Sequence, residues 1–135
     1  MSQSTVPFSG AGQPLPAHIQ QQLMPLCEAL PETAVSTLTT KIDEYLLAIQ
    51  AALQQNEFMD IQLAREIAEC LHLVLQDYGR YPADQQALIV GAARYFIKND
   101  DAEHDLYSVL GLDDDAAVLN YLLDTLNRPE LKIPL

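Results

Sequence analysis

Hydrophobic side chains recur every three or four residues along most of the chain, and this spacing predicts helices. The clearest example is the range 32–55, whose apolar stripe consists of Val35, Leu38, Ile42, Tyr45, Ile49 and Ala52. A stripe with this period is typical of an amphipathic helix that buries one face. Strand signals are weak, since the chain has no sustained two-residue alternation and no Asn-Gly hairpin turn. The pattern therefore predicts an all-α protein.

A second apolar stripe predicts a helix over 60–78 and carries its own end signals. Its members are Ile61, Ala64, Ile67, Leu71, Val74 and Tyr78. Asp60 is placed to cap the first turn with its carboxylate. Gly79 is placed to end the helix in the left-handed conformation that glycine adopts readily. We expect this helix to form part of the core.

Two further helices are predicted on either side of this pair. The first covers 17–30 and is interrupted at Pro25, because proline lacks the amide hydrogen that a helix interior requires. The other covers 82–98 and opens with Pro82, where a missing amide hydrogen is tolerated. Gly91 in its middle destabilises a helix by about 1 kcal/mol relative to alanine. A close helix crossing at Gly91 would explain why glycine stands there.

The last part of the chain adds a short helical turn at about 103–110 and a final helix at about 113–126. The first part differs, because residues 1–14 are rich in Ser, Gly, Pro and Gln and offer little apolar surface. They predict a flexible tail, and the alternative is a short docking peptide around the Val-Pro-Phe sequence at 6–8. With 135 residues, the chain is predicted to form one compact bundle of about five helices over 15–135.

Net charge restricts the classes of partner. The formal net charge of −12 arises from 19 acidic and 7 basic side chains. So few Lys and Arg argue against binding DNA or RNA through its phosphates, and the negative charge argues equally against anionic membrane surfaces. The natural electrostatic complement is a basic protein or a cation. The alternative interpretation is that the charge serves solubility alone.

The cysteines and the apolar runs bear on the cellular compartment. Cys27 and Cys70 fit neither a disulfide framework nor a zinc-ligand spacing, and Cys70 is predicted to be a small buried thiol. The N-terminal residues lack the basic and apolar regions of a signal peptide. No uncharged apolar run approaches the ~20 residues of a membrane-spanning helix. These features predict a cytoplasmic protein without stable membrane insertion.

Acidic residues are concentrated near the end of the chain, where nine of the 19 lie in the range 100–130. Three hypotheses account for them: helix capping, a cation site and an acidic docking surface. In the docking hypothesis, a basic protein partner binds a face formed by Asp100, Asp101, Asp105, Asp113, Asp114 and Asp115.

In the capping hypothesis, the aspartates mark the starts of helices. Asp113 is the N-cap of the final helix, and Asp114 and Asp115 occupy its first turn, where carboxylates meet the positive end of the helix dipole. One member of the Asp100-Asp101 pair caps the short helical turn in the same way. Gly111 then provides the sharp turn between the two helices.

In the cation hypothesis, the ligands are Asp101, His104, Asp105, Asp114 and Asp115. The first three fall on one face of a helical turn, and a turn at Gly111 would bring the last two toward them. Carboxylate oxygens suit Mg²⁺, Mn²⁺ or Ca²⁺. The spacing differs from that of an EF-hand, which alternates ligands within one loop and ends on Glu.

The same segment resembles the core motif of the YkvA-like family, a group of small bacterial helical proteins whose domain has no known function. That motif reads roughly D-x-x-P-D, five residues, then G-x-x-D-D and an apolar helix. The residues in register here are Asp101, Asp105, Gly111, Asp114 and Asp115. The preceding AARYFIK sequence is also similar, so the resemblance covers the range 92–126.

Two departures limit what this resemblance implies. His104 stands where the family has proline, and Ser108 occupies the second proline position. Family members often have a strongly apolar segment between the acids, which suggests membrane proximity, whereas the AEH and LYSVL sequences here are more polar. The resemblance therefore implies a helical domain, with neither a membrane role nor a settled activity.

Enzyme motifs are absent from the sequence, which has no P-loop, dinucleotide fingerprint, G-x-S-x-G elbow or H-E-x-x-H. Its three histidines lie far apart and none adjoins a convincing nucleophile. His72 is interpreted as a surface or half-buried side chain.

These observations favour a non-enzymatic interaction or adaptor protein of the regulator, inhibitor or immunity type, without a cofactor. The alternative is a helical domain that binds Mg²⁺ or Ca²⁺ through the carboxylates of the acidic segment. Self-association is a further hypothesis, because the apolar stripe of the 32–55 helix would also suit a homodimer.

Overall fold

The structure is a computed structural model that describes residues 15–53, 61–97 and 109–133. Within these ranges the chain forms five α-helices and three short 3-10 turns, with no β-strand. The helices are α1 (Ala17–Leu23), α2 (Glu32–Leu53), α3 (Ile61–Gln76), α4 (Ala83–Ile97) and α5 (Val109–Thr125). The prediction of an all-α bundle is confirmed.

Four of the helices enclose the core. α2 packs against α3 and α4, and α5 packs against the same two helices. The shorter α1 packs on α4. Among the described residues no polar or charged residue is buried, so every charge of these helices lies at the surface. The largest fully buried side chains are Leu23, Ile42, Ile49, Ile67, Leu71, Tyr78, Leu88, Ile89, Phe96, Leu119, Leu122 and Leu123.

The apolar stripe of α2 lies inside this core. Its members from Val35 to Ile49 are each 7 % exposed or less. The rings of Tyr45 and Phe96 meet edge to face with centroids 5.2 Å apart, a geometry that aromatic quadrupoles favour. The stripe therefore packs against the chain's own bundle, and a homodimer through it would compete for side chains that are already buried.

The interruption predicted at Pro25 is confirmed, whereas the prediction that the helix reaches residue 30 is wrong, because 27–30 are not helical. α1 ends at Leu23 and continues as the 3-10 turn Met24–Leu26 before an extended segment, 27–30, leads to α2. The hydroxyl of buried Tyr78 donates to the Leu30 carbonyl at 2.6 Å and accepts from the Leu30 amide at 2.7 Å. The end of α3 is thereby tied to the start of α2.

Gly91 lies where another part of the backbone comes close. A Cβ at this position would lie 3.2 Å from the Cα of Cys27 and closer still to its Sγ. The close approach expected at Gly91 is thus confirmed, although its neighbour is the 27–30 segment and not a second helix. Arg94, one turn further along α4, donates to the Leu26 carbonyl at 3.0 Å and holds the same connection.

Gly79 does not end α3 in a left-handed conformation, so that prediction is wrong. The helix stops at Gln76, and Gly79 lies in the 3-10 turn Tyr78–Arg80 without a positive φ. An added Cβ there would meet the carboxylate of Glu32, an exposed side chain that can move aside. The cap predicted at Asp60 lies outside the described residues.

The left-handed residue of the described chain is Asn127, with φ of 62°, directly after α5. The Arg128 amide donates to the Leu123 carbonyl at 2.7 Å, and the Asn127 amide donates to the Asp124 carbonyl at 3.1 Å. This pair of bonds defines a Schellman motif, in which asparagine tolerates positive φ better than most residues. The motif turns the chain back onto the bundle.

The residues that follow, 127–133, form a C-terminal strap. The side-chain amide of Asn120 donates to the Ile133 carbonyl and accepts from the Ile133 amide, both at 2.8 Å. Arg128 donates to the Glu130 carboxylate at 2.8 Å and to the Tyr81 hydroxyl at 3.2 Å. Its guanidinium also lies 3.6 Å from Asp77, so the strap joins α5 to the turn between α3 and α4.

Candidate interaction surface

The acidic residues at 113–115 lie inside α5 and do not mark its start. α5 begins at Val109, so the predicted N-cap at Asp113 and the predicted turn at Gly111 are both wrong. An N-cap contributes about 1 kcal/mol and a glycine in a helix interior costs about as much. Local signals of this size are readily outweighed, because most helical stability in proteins comes from tertiary packing.

Their position inside a helix also separates the three aspartates. Successive residues of an α-helix are about 100° apart around its axis, since a turn takes 3.6 residues. Asp113, Asp114 and Asp115 therefore spread over more than half of the circumference. Asp114 and Asp115 are half-buried. Three residues spaced in this way do not form one compact set of ligands.

The other proposed ligands and partner-binding residues lie outside the described residues, as do the short helical turn at 103–108 and the segment at 6–8. This group comprises Asp100, Asp101, His104 and Asp105. Within 15–53, 61–97 and 109–133, no three Asp, Glu, His or Cys side chains form a group that would hold a metal ion. The cation hypothesis, which joins both groups of residues, stays a prediction.

Most of the described basic side chains are already paired within the chain. Arg94 lies 3.1 Å from Glu28, Lys132 lies 3.0 Å from Asp124, and Arg128 lies 2.8 Å from Glu130. The hydrogen bond from Arg128 lowers the pKa of the Glu130 carboxyl and, together with Tyr81, raises the pKa of Arg128 itself. These cations therefore pair with carboxylates of the same chain, and the remaining carboxylates stay unneutralised at the surface.

His72 pairs with an acid across two helices. Its Nε2 lies 2.9 Å from Asp43 Oδ1, and the two side chains are 27 % and 63 % exposed. The interpretation of His72 as a half-buried side chain is confirmed. The contact ties α3 to α2 at the surface, and exposed pairs of this kind contribute little stability, about 0–1 kcal/mol.

The two thiols are sheltered and weakly acidic. Burial raises the pKa of Cys27 to about 11, against an opposing effect from Arg94. Burial and the nearby carboxylates of Glu69 and Glu66 raise the pKa of Cys70. Both are only half-buried, so the prediction of a buried thiol at Cys70 was too strong. Their pKa values disfavour the thiolate, which is the nucleophilic form of cysteine.

An open groove, which the sequence analysis missed, runs along the outer side of α1 and the following 3-10 turn. Its volume is about 510 Å³, and its lining consists of Ala17, Gln20, Gln21, Met24 and Pro25. Met24 is 47 % exposed, which is high for a large hydrophobic side chain in this protein. The sequence signal was the long stretch without charge, since the first Asp, Glu, Lys or Arg of the chain is Glu28.

Comparisons with known proteins find no match for this chain. No family model matches it, and no curated protein or solved structure matches it either. The resemblance to the YkvA-like family therefore stays a prediction. Among the described helices, none has the length and apolar character that crossing a membrane requires.

Proposed function

We propose that this protein is a non-enzymatic, acidic helical adaptor of the cytoplasm that binds a basic protein through its Asp-rich C-terminal segment. Regulators, inhibitors and immunity-type proteins share this mode of action. The observation that carries the proposal is the distribution of charge. Between Lys98 and Arg128 the chain has eight acidic residues and no Lys or Arg.

The ion pairs of the bundle support this function. Arg94, Arg128 and Lys132 each face an acid of the same chain, so they do little to offset the acidic segment for a visiting partner. Asp114 lies in the described part of that segment, and no described basic side chain forms an ion pair with it. A basic surface would gain favourable contacts and faster association there, both weakened by salt.

The test uses a fluorescently labelled oligolysine peptide as a model of a basic partner. In the variant, Asp113, Asp114 and Asp115 are changed to Asn. In the matched control, Glu44, Glu66 and Glu69 on α2 and α3 are changed to Gln, which gives the same net charge.

Affinity is measured by fluorescence anisotropy across salt concentrations. We expect the Asn variant to bind about tenfold more weakly at low salt, since three surface pairs of about 0.5 kcal/mol each amount to that factor. The difference should shrink as salt rises, and the control should lose less. Equal losses in the two variants would show that net charge alone attracts the peptide, and the proposed docking segment would then be abandoned.

A further inference from the structure

The bundle holds the C-terminal strap, 127–133, in the way that a receptor holds an extended peptide. The strap leaves its 3-10 turn at Lys132, whose φ of −62° and ψ of 147° are close to those of polyproline II. This conformation makes no internal hydrogen bonds, so the chain needs partners elsewhere. The Asn120 side chain pairs with Ile133, donating to its carbonyl and accepting from its amide at 2.8 Å each. This pairing depends on the backbone of the residue held and not on its side chain.

Two side chains of the strap add contacts that do depend on residue type. Ile133 is 6 % exposed and belongs to the hydrophobic core. Lys132, directly before it, lies 3.0 Å from the carboxylate of Asp124. Asp124 follows Asn120 by four residues, so both lie on the same face of α5. This face therefore offers a backbone anchor and a carboxylate next to an apolar surface.

The other side of the site comes from α3 and the residue that follows it. The Cys70 thiol donates to the Leu131 carbonyl at 3.3 Å, and Asp77 lies 3.6 Å from the Arg128 guanidinium. The members of this strap-binding face are Cys70, Asp77, Asn120 and Asp124. Its two aspartates both meet basic side chains of the strap. Backbone pairing combined with selective side-chain contacts is the mode by which many proteins recognise extended peptides.

The strap has few contacts that would keep it in place. Ile133 is the one buried residue of 127–133. The pair of Lys132 and Asp124 is partly exposed, at 38 % and 24 %, and such pairs contribute little stability. A segment with few buried contacts opens at a much lower free energy than the helices of the core. The strap can therefore leave its face while the bundle stays folded.

We propose that the strap-binding face is a peptide-binding site, which the strap occupies in cis and which an extended basic segment of a partner takes over by displacing it. That segment has Lys or Arg directly before a large apolar residue, as the strap has at 132–133. Asp124 binds its cation, Asn120 binds its backbone, and the apolar surface under Ile133 receives its apolar side chain. The inference goes beyond the proposed function, since no member of this face is among the aspartates at 100–115.

The probe is a fluorescently labelled peptide with the sequence of the strap, NRPELKI, amidated at its C-terminus so that it adds no carboxylate. The control peptide, NRPELIK, exchanges the last two residues and keeps composition and charge. Binding to the full chain is measured by fluorescence anisotropy. The strap variants of the full chain are Ile133→Ser and Lys132→Ala, which loosen the strap and leave its binding face intact. Each is combined with Asp124→Asn or with the matched control Asp114→Asn, which changes the net charge equally.

We expect the natural chain to bind NRPELKI weakly, because the tethered strap competes at a roughly millimolar effective concentration. Ile133→Ser should strengthen binding at least about tenfold, since the strap loses the burial of an isoleucine side chain. Lys132→Ala should strengthen it about two- to threefold, as expected for an exposed ion pair. Lys132 is exposed, so this variant tests the inference even if Ile133→Ser weakens the fold. Asp124→Asn should cancel both gains, and Asp114→Asn should keep them.

Four results would overturn the inference. One is equal binding of NRPELKI and NRPELIK, which would mean that composition and charge alone attract the peptides. The second is equal affinity of the natural chain and the strap variants, and the third is no binding to any of them. The fourth is an equal loss with Asp114→Asn and Asp124→Asn, which would make acidic charge in general the cause. The oligolysine test of the proposed function uses a different probe and different variants, so either idea can fail alone.

Discussion

Gly91 and Tyr78 hold the same short connection, 27–30, from two different parts of the bundle. Gly91 leaves room for the backbone of Cys27, and the Tyr78 hydroxyl satisfies both polar backbone groups of Leu30. A non-helical connection packed against a core needs partners of this kind, because unpaired buried amides and carbonyls are costly. The two residues therefore fix where α1 lies on α4.

Gly91→Ala should destabilise the protein although alanine is the better helix former. The added methyl group would crowd Cys27, and overpacking of about 1–3 kcal/mol exceeds the ~1 kcal/mol gained in helix propensity. Urea unfolding gives the difference in the free energy of unfolding. In a Cys27→Ala background the loss should shrink, and a stabilising effect of Gly91→Ala in both backgrounds would show that the backbones are not this close.

Tyr78→Phe should lower the free energy of unfolding by about 1–3 kcal/mol, since it leaves the amide and carbonyl of Leu30 without their partner. Tyr81→Phe is the matched control. It removes a hydroxyl that accepts one hydrogen bond from Arg128 in a half-buried position, where we expect about 0.5–1 kcal/mol. Similar losses at the two positions would contradict the role given to Tyr78.

At the scale of the elements, stripes that recur over several turns predicted the helices well. The limits of α2 and α3 lie within two residues of the predicted ones, because several buried side chains define the apolar stripe of each helix. End signals that rest on one residue were less reliable, since Gly79 does not cap α3 and Asp113 does not start α5. The neighbour of Gly79 is the carboxylate of Glu32, which lies 47 residues earlier in the chain and was beyond the reach of a local pattern.

Asn127 is the residue through which the last helix becomes the strap. Asn127→Ala should lower the melting temperature, because a left-handed alanine is strained by about 1–2 kcal/mol. Asn127→Gly relieves that strain and should leave stability close to that of the natural chain. Differential scanning calorimetry of both variants distinguishes a conformational role from a side-chain role. If glycine is as damaging as alanine, the asparagine side chain matters and its positive φ does not.

At the scale of the whole molecule, the question is whether the apolar stripe of α2 packs in the core of one chain or between two chains of a dimer. Ile42 is fully buried in the single chain, so Ile42→Ala should lower the free energy of unfolding by about 2–5 kcal/mol at every protein concentration. A dimer held by this stripe would instead show a stability that rises with concentration. Unfolding curves at several concentrations, combined with light scattering, measure both quantities. Leu47→Ala on the exposed side of α2 serves as the control.

The site was less predictable than the fold. Its acidic residues are visible in the sequence, but their arrangement depends on where α5 begins, and the helix already includes Val109, four residues before Asp113. The groove depends on how α1 leans on α4, a contact made by residues about 70 positions apart, such as Gln22 and Tyr95. Charge and periodicity report on neighbours along the chain, whereas a surface is assembled from residues that are distant in it.

The alkylation rates of the two half-buried thiols, Cys27 and Cys70, would report on local opening of the bundle. We expect Cys27 to react slowly with an alkylating reagent while α1 and α4 stay together, since its thiol is half-buried and burial raises its pKa to about 11. Cys70 donates to the Leu131 carbonyl at 3.3 Å and is sheltered by the strap in the same way. The relative labelling rates of the two thiols in the native protein would show which end of the bundle opens first. They would also show whether a ligand in the groove slows the labelling of Cys27 alone.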